Sequence, residues 1–394
     1  MTVSIRKPKL KISVYWFFII FLIPAFLTYR SDLSILYDAW HLSQIPIAIV
    51  CIIYYIIKYK ATNKTINSII IYYIIAIASC YFNGYTANTI KWDITADVGI
   101  VLLAFMFLNR NSKAFLNWLS HVFFVYLLIN TVTVIVFPSG IALGRIGQTI
   151  WFLGGKNVIL PWILIGGGFM ILNSFERFGK ITKTTYLQLA ICSLQAFLCG
   201  SSTAILIIVF YWLLLLFNAV VKNDKIMGYL IGGKRIFIIV AVIFTFITFF
   251  TGQLYTLQSF SEKLGKDITF NGRTAIWPIA LAYIKSRPLI GMGPVLIFDM
   301  GWGVDMTHAH SLYLNVCAHY GIISLLCLAF GIWNVLKNAR RIPIQVIFSL
   351  FLYLIGAIVE VYSLNTLFLF CVVLSYFGDN FSIVKQCEKV YLNC

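Results

Sequence analysis

Apolar runs long enough to cross a bilayer recur along the whole chain and leave one long polar interval, residues 253–310. About 20 apolar residues span roughly 30 Å of hydrocarbon. Backbone inside lipid must satisfy its own hydrogen bonds, which restricts it to helices or a closed barrel. A barrel needs ten-residue segments that alternate polar and apolar positions, whereas the runs here are continuous. Only 11% of the 394 residues are charged and 61% are hydrophobic, against about 25% charged in soluble domains. Such a chain cannot cover itself with a solvated surface. The expected fold is all-α: a polytopic membrane protein forming one integral membrane domain over residues 1–394.

Twelve spans are predicted, near residues 14–27, 42–57, 66–82, 94–108, 114–137, 158–172, 185–199, 203–221, 236–252, 311–336, 344–359 and 364–377. The first follows Arg6, Lys7, Lys9 and Lys11 like a signal peptide, but no small-x-small cleavage site follows it, so an uncleaved span is expected. With both termini on the cytoplasmic side, every cytoplasmic segment is basic and together they hold 21 of the 30 Lys and Arg. This is the distribution that the positive-inside rule demands. The net charge of +17 is therefore topological. No Lys/Arg run is interleaved with aromatics to track a phosphate backbone, so no nucleic-acid partner is expected. The nine cysteines lie in apolar runs or the last basic segment, show no metal spacing, and read as packing residues. No internal repeat and no P-loop is evident, which removes the inverted-repeat signature of transporters and a built-in ATP motor.

The polar interval then falls between spans nine and ten, on the extracytoplasmic side. Arg273 precedes residues 274–286, a stretch too short to span but suited to a helix lying in the interface. Asn271 or Thr274 are its candidate caps, and Pro278 is tolerable within the first turn. An Arg at a helix N-terminus reads either as an interfacial anchor or as an anion site suited to phosphate. Arg287-Pro288 ends the helix, and Gly291-Met292-Gly293-Pro294 makes a turn. His308 and His310 stand where the chain re-enters the membrane. With Asp305 they offer a metal pattern lacking a further carboxylate cluster. Alternatively, His310 is a base for a hydroxyl, or simply hydrogen-bonds at a helix start. Glu360, at the outer end of span eleven, is a carboxylate near membrane depth whose expected partner is an Arg or a His. Arg145 and Lys156, in the glycine-rich loop 139–157, are positive charges on the side that the topology disfavours.

Taken together, Gly272-Arg273-x-x-Ile276-Trp277, Pro288-Leu289-Ile290-Gly291-x-Gly293, Ala309-His310-Ser311-x-Tyr313-Leu314 and Tyr320-Gly321-Ile322-Ile323 resemble the bacterial O-antigen ligases and polysaccharide polymerases. Phe152-Leu153-Gly154-Gly155-Lys156-Asn157 is similar to a segment of the capsule and O-antigen polymerases. The resemblance implies a C-type glycosyltransferase-like helical fold, needing no metal or other cofactor, in the bacterial inner (cytoplasmic) membrane. The implied partners are membrane lipid and an undecaprenyl-pyrophosphate-linked oligosaccharide met at the outer face, together with the pathway's chain-length regulator and flippase. Carried over, Arg273 is the leading pyrophosphate clamp, with Arg145, Lys156, Arg287 and His308 as further substrate-binding candidates. His310 is the leading base, and Glu360, read from its place near membrane depth, is the second catalytic candidate. Two positions depart from the family pattern: Ser311 stands where Asn is frequent, and Ser202 where an Arg is expected, a charge that Lys156 would then supply. The implied activity is repeat-unit polymerisation. The alternatives are transfer of finished polymer to lipid A core and, from another class, a flippase for the same lipid-linked sugar.

Overall fold

The computed structural model describes residues 14–144, 147–221, 234–251, 273–299, 306–338 and 341–380. Its helices are α1 (Ser34–Tyr59), α2 (Lys64–Phe82), α3 (Lys91–Val136), α4 (Ile159–Phe178), α5 (Lys183–Leu198), α6 (Ser202–Val221) and α7 (Lys234–Thr251). They continue with α8 (Arg273–Ser286), α9 (Leu312–Lys337), α10 (Ile344–Val359) and α11 (Leu364–Asn380). The chain is an all-α polytopic membrane protein. Six helical stretches are long and apolar enough to span a bilayer, and four shorter apolar ones accompany them among the described residues.

Helix α3 shows how sequence sets a boundary inside a continuous run. Its 46 residues would reach about 69 Å as one rod, more than two bilayer thicknesses. Asn111 breaks it with extended backbone (φ −161°, ψ 89°), and its side-chain oxygen accepts the Ala114 N–H at 3.1 Å. That is an N-cap, and it separates the two spans expected at residues 94–108 and 114–137. Asn63 and Thr182 cap α2 and α5 in the same way.

The first span departs from expectation. Instead of one α-helix it is two 3-10 segments, Val14–Phe21 and Ala25–Tyr29, separated at Leu22–Pro24. Pro24 cannot donate a backbone hydrogen bond, and the carbonyls freed by the break take side-chain donors. Ile20 O accepts from Trp40 Nε1 and from Gln44 Nε2, both at 2.7 Å, and Leu22 O accepts from Tyr126 Oη at 3.1 Å.

Helix α4 is the buried axis, lying against α3, α5, α10 and α11. Its Gly166-Gly167-Gly168 run permits this closeness, since a Cβ on Gly168 would lie 2.5 Å from the Phe370 ring. The seven described cysteines are free thiols, five of them buried, as packing residues would be. Cys387 and Cys394 lie outside the described residues.

Helix α9 lies along α2 and is broken at Gly321, where φ is +82°. In an unbroken helix the Ile322 N–H would reach the Ala318 carbonyl. Here Ile322 N donates to Pro288 O at 2.8 Å, and Ala318 O accepts from Met292 N at 2.8 Å. Gly293 N donates to His319 O at 2.9 Å. The Pro288–Gly293 segment thus plugs into the break and replaces the missing helical bond. Both glycines are needed at these contacts: a Cβ on Gly291 would lie 2.5 Å from the His319 carbonyl, and one on Gly321 would strike Leu289 O.

Candidate functional site

The plugged kink fixes the described part of the polar interval, residues 273–299 and 306–310, against the bundle. Helix α8 packs on α9, and Ile276, Trp277 and Ala280 of α8 bury with Leu296, Phe298, Ala309, Leu314 and Ala318. Two legs of the interval are joined where Phe298 N donates to Met306 O at 2.8 Å. Tyr283 Oη closes the far side on Ile297 O at 2.9 Å. Pro278 sits in the second turn of α8 rather than the first. The helix bears the loss of one N–H because its apolar face is covered. Asn271 lies outside the described residues.

His310 is the pivot of this platform. It adopts φ +49°, a left-handed conformation uncommon outside glycine, between two fixed points. On one side Ala309 N donates to Asn315 Oδ1 at 3.0 Å. On the other, Leu312 N donates to Glu360 O at 3.1 Å. The second bond draws the α10–α11 link onto the start of α9. Its result is an acid–imidazole pair, His310 Nδ1 lying 3.8 Å from Glu360 Oε2, with side chains 15% and 6% exposed. That separation exceeds a hydrogen bond, but it sets the carboxylate directly against the imidazole. It also aims Nδ1 at the acid and leaves Nε2 for other work. Glu360 therefore has the histidine partner expected of it.

His308 stacks near His310, with ring centroids 4.5 Å apart. Burial, reinforced by the positive charge of His310, pushes its pKa down to about 4. His308 is thus a neutral donor or acceptor at pH 7. Ser311, in place of the family's frequent Asn, is fully buried, and its hydroxyl has no hydrogen-bond partner.

The cationic candidates are distributed more widely. Arg273 begins α8, which puts it at the N-terminus of the helix packed under Ala309; its side chain, like all of Arg145 and Asp305, lies outside the described residues. Arg287 is drawn to the end of α2, where its Nη1 donates to Asn83 Oδ1, while Asn83 Nδ2 donates to Gly291 O at 3.1 Å. Lys156 is exposed, in a loop tied to the α5–α6 turn by a 3.3 Å bond from Ser201 Oγ to Asn157 Oδ1. That turn lies toward the end of the bundle where Glu360 lies. Helix α6 runs beside α10, meeting it at Tyr211 Oη···Ser349 Oγ, 3.0 Å. Nearer the site, a Cβ on Gly356 would be 3.0 Å from Ile207 Cδ1. About one turn further out stand Ser202 and Glu360. Among the described residues no three His, Cys, Asp or Glu side chains come together as a metal set.

Several polar groups within the spans are bonded locally. His41 Nδ1 lies 3.3 Å from Gln44 Oε1, Gln195 binds Asn130, and His319 Nδ1 lies 3.0 Å from Gly293 O. Asp97 is buried in α3 and accepts from Tyr73 Oη. Sequence reading passed over Asp97, although an acid inside residues 94–108 carries the same signal as Glu360. Asn83 and Asn130 were equally invisible, since an amide in a polar turn or an apolar span announces no partner.

Residues 187–329 match the family model described as O-antigen ligase. The matched segment runs from α5 into α9 and holds Arg273, Arg287, His308 and His310, while Lys156 and Glu360 come from outside it. No curated protein matches the chain. The motif order and the helical membrane architecture agree with this match: the chain is a polytopic membrane protein that is similar, over residues 187–329, to the O-antigen ligases.

Proposed function

We propose that this protein is a glycosyltransferase that joins undecaprenyl-pyrophosphate-linked oligosaccharide repeat units into O-antigen or capsular polysaccharide. It works at the outer face of the cytoplasmic membrane, with both termini cytoplasmic and residues 253–310 outside. The observation that carries the reading is the His310–Glu360 pair, a base with its orienting acid, built on the conformationally fixed edge of the polar interval.

In the reaction, His310 Nε2 takes the proton of an acceptor sugar hydroxyl as its oxygen attacks the donor's anomeric carbon. The bond from that carbon to the pyrophosphate oxygen breaks, and undecaprenyl pyrophosphate leaves with the electron pair. Glu360 orients His310 and stabilises its imidazolium. Arg273, at a helix N-terminus, clamps the departing anion, with Lys156, Arg145 and Arg287 adding positive charge and His308 a neutral hydrogen bond. Fixed cations of this kind stabilise a leaving group without a metal ion or other cofactor. The Gly-Gly-Lys-Asn segment at residues 154–157 favours polymerase over ligase.

Deletion of the gene, with surface glycan and lipid-linked intermediates resolved on one gel, tests the reading. Surface glycan capped at a single repeat unit is the expected result. Full-length polymer stranded on the carrier, beside bare lipid A core, would assign ligase instead. Single units trapped on the cytoplasmic face would make the protein a flippase and remove the catalytic roles of His310 and Arg273.

A further inference from the structure

Two buried amides beneath the loop that carries Lys156 have no part in the reaction just described. Asn130 of α3 and Gln195 of α5 are both fully buried. Their hydrogen bonds run in one direction. The Leu153 backbone N–H donates to Asn130 Oδ1 at 2.8 Å, Asn130 Nδ2 donates to Gln195 Oε1 at 2.6 Å, and Gln195 Nε2 donates to Cys192 O at 2.9 Å. Leu153 is itself fully buried, so without Asn130 its N–H would be stranded away from water. Each amide spends its oxygen on one neighbour and its nitrogen on the next, so neither can turn over without breaking two bonds.

The loop is held at neighbouring points as well. Trp151 and Gly154 exchange backbone bonds at 3.0 and 3.1 Å, Trp151 Nε1 donates to Phe137 O at 2.9 Å, and Asn157 is held by Ser201. Lys156 therefore lies three residues beyond one anchor and one residue before another. A chain reaches at most about 3.5 Å per residue, so the lysine backbone cannot drift, although its side chain is exposed.

We propose that Asn130 and Gln195 are positioning residues: through Leu153 they hold the 151–157 loop so that Lys156 presents its ammonium to the pyrophosphate of the lipid-linked donor. The inference rests on the assignment of Lys156 to donor binding above.

The test is a double-mutant cycle on the purified full-length protein in detergent, with undecaprenyl pyrophosphate as the probe and thermal stability recorded for every variant. Lys156→Ala weakens binding roughly tenfold, the scale of one charged hydrogen bond. Asn130→Leu, nearly isosteric, weakens it to a similar degree in the native background and has almost no effect on top of Lys156→Ala. Gln195→Met supplies the same cycle where Asn130→Leu does not yield folded protein. Equal effects of Asn130→Leu with and without Lys156 would overturn the positioning role, because a general scaffold residue adds independently. Unchanged binding in Lys156→Ala would instead overturn the assignment of Lys156, and the purpose of the relay with it.

Discussion

At the scale of single residues, the site depends on a histidine in a conformation that its side chain resists and a carboxylate that reaches it from another helix. Replacing Glu360 by Gln keeps the shape and removes the charge that faces His310 Nδ1. Transfer should fall by roughly 10²-fold or more, in the range that acid–base groups contribute, with membrane insertion unchanged. Polymer length in cells complemented with Glu360→Gln and with His310→Ala measures this, and wild-type polymer in either would remove that residue from the chemistry. Arg273→Lys should restore little of what Arg273→Ala loses, because an ammonium cannot make the bidentate fork that a pyrophosphate accepts.

His308 gives the pH dependence at the same scale. Its pKa of about 4 in the folded protein lies below the unfolded value of about 6.5, so unfolding takes up a proton between those values. Folded stability is then full above pH 6.5 and is lost as pH falls toward 4. Thermal unfolding in detergent at pH 7 and pH 5 should show a larger drop for the native protein than for His308→Gln. An equal drop in both would mean that other groups set the acid sensitivity.

At the scale of elements, the sequence displayed what a side chain announces by itself and hid what depends on a partner. The spans were legible because apolar runs need no partner to be recognised, and even the break in α3 is visible as Arg110-Asn111-Ser112-Lys113 between two such runs. The break at Pro24 was present in the letters but outweighed by the apolar residues around it. The glycines of the Pro288–Gly293 segment looked equally suited to a ligand or an ordinary turn. Gly291 meets the backbone of α9, and Gly293 lies against the Tyr85 ring while its N–H donates to His319 O. The same geometry predicts the cost of altering the kink. Gly321→Ala requires an L-residue at φ +82° and sets a methyl against Leu289 O. The expected loss is about 2–4 kcal/mol, at the severe end for single substitutions. It should appear as a lowered melting temperature and as early proteolysis between α8 and α9, whereas Gly179→Ala, in open space, strains only its own φ and should cost less.

At the scale of the whole molecule, charge and site belong to opposite ends. The segments assigned to the cytoplasm hold 21 Lys and Arg against 4 Asp and Glu, which accounts for the entire net charge of +17; the opposite end holds 9 of each sign. Basic residues at the first end are drawn into pairs between neighbouring helices. Lys113 lies 3.1 Å from Glu176, and Arg177 Nη1 donates to Asn117 Oδ1 at 2.9 Å. The other end has no net charge, so its cations act on an anion only where the fold brings them to it. Orientation then decides which compartment the reaction faces. Phosphatase fusions after Leu289 should be active in the periplasm, while fusions after Lys180 should remain inactive. The opposite pattern would turn His310 toward the cytoplasm, where a flipped lipid-linked donor is absent, and would exclude polymerase and ligase together.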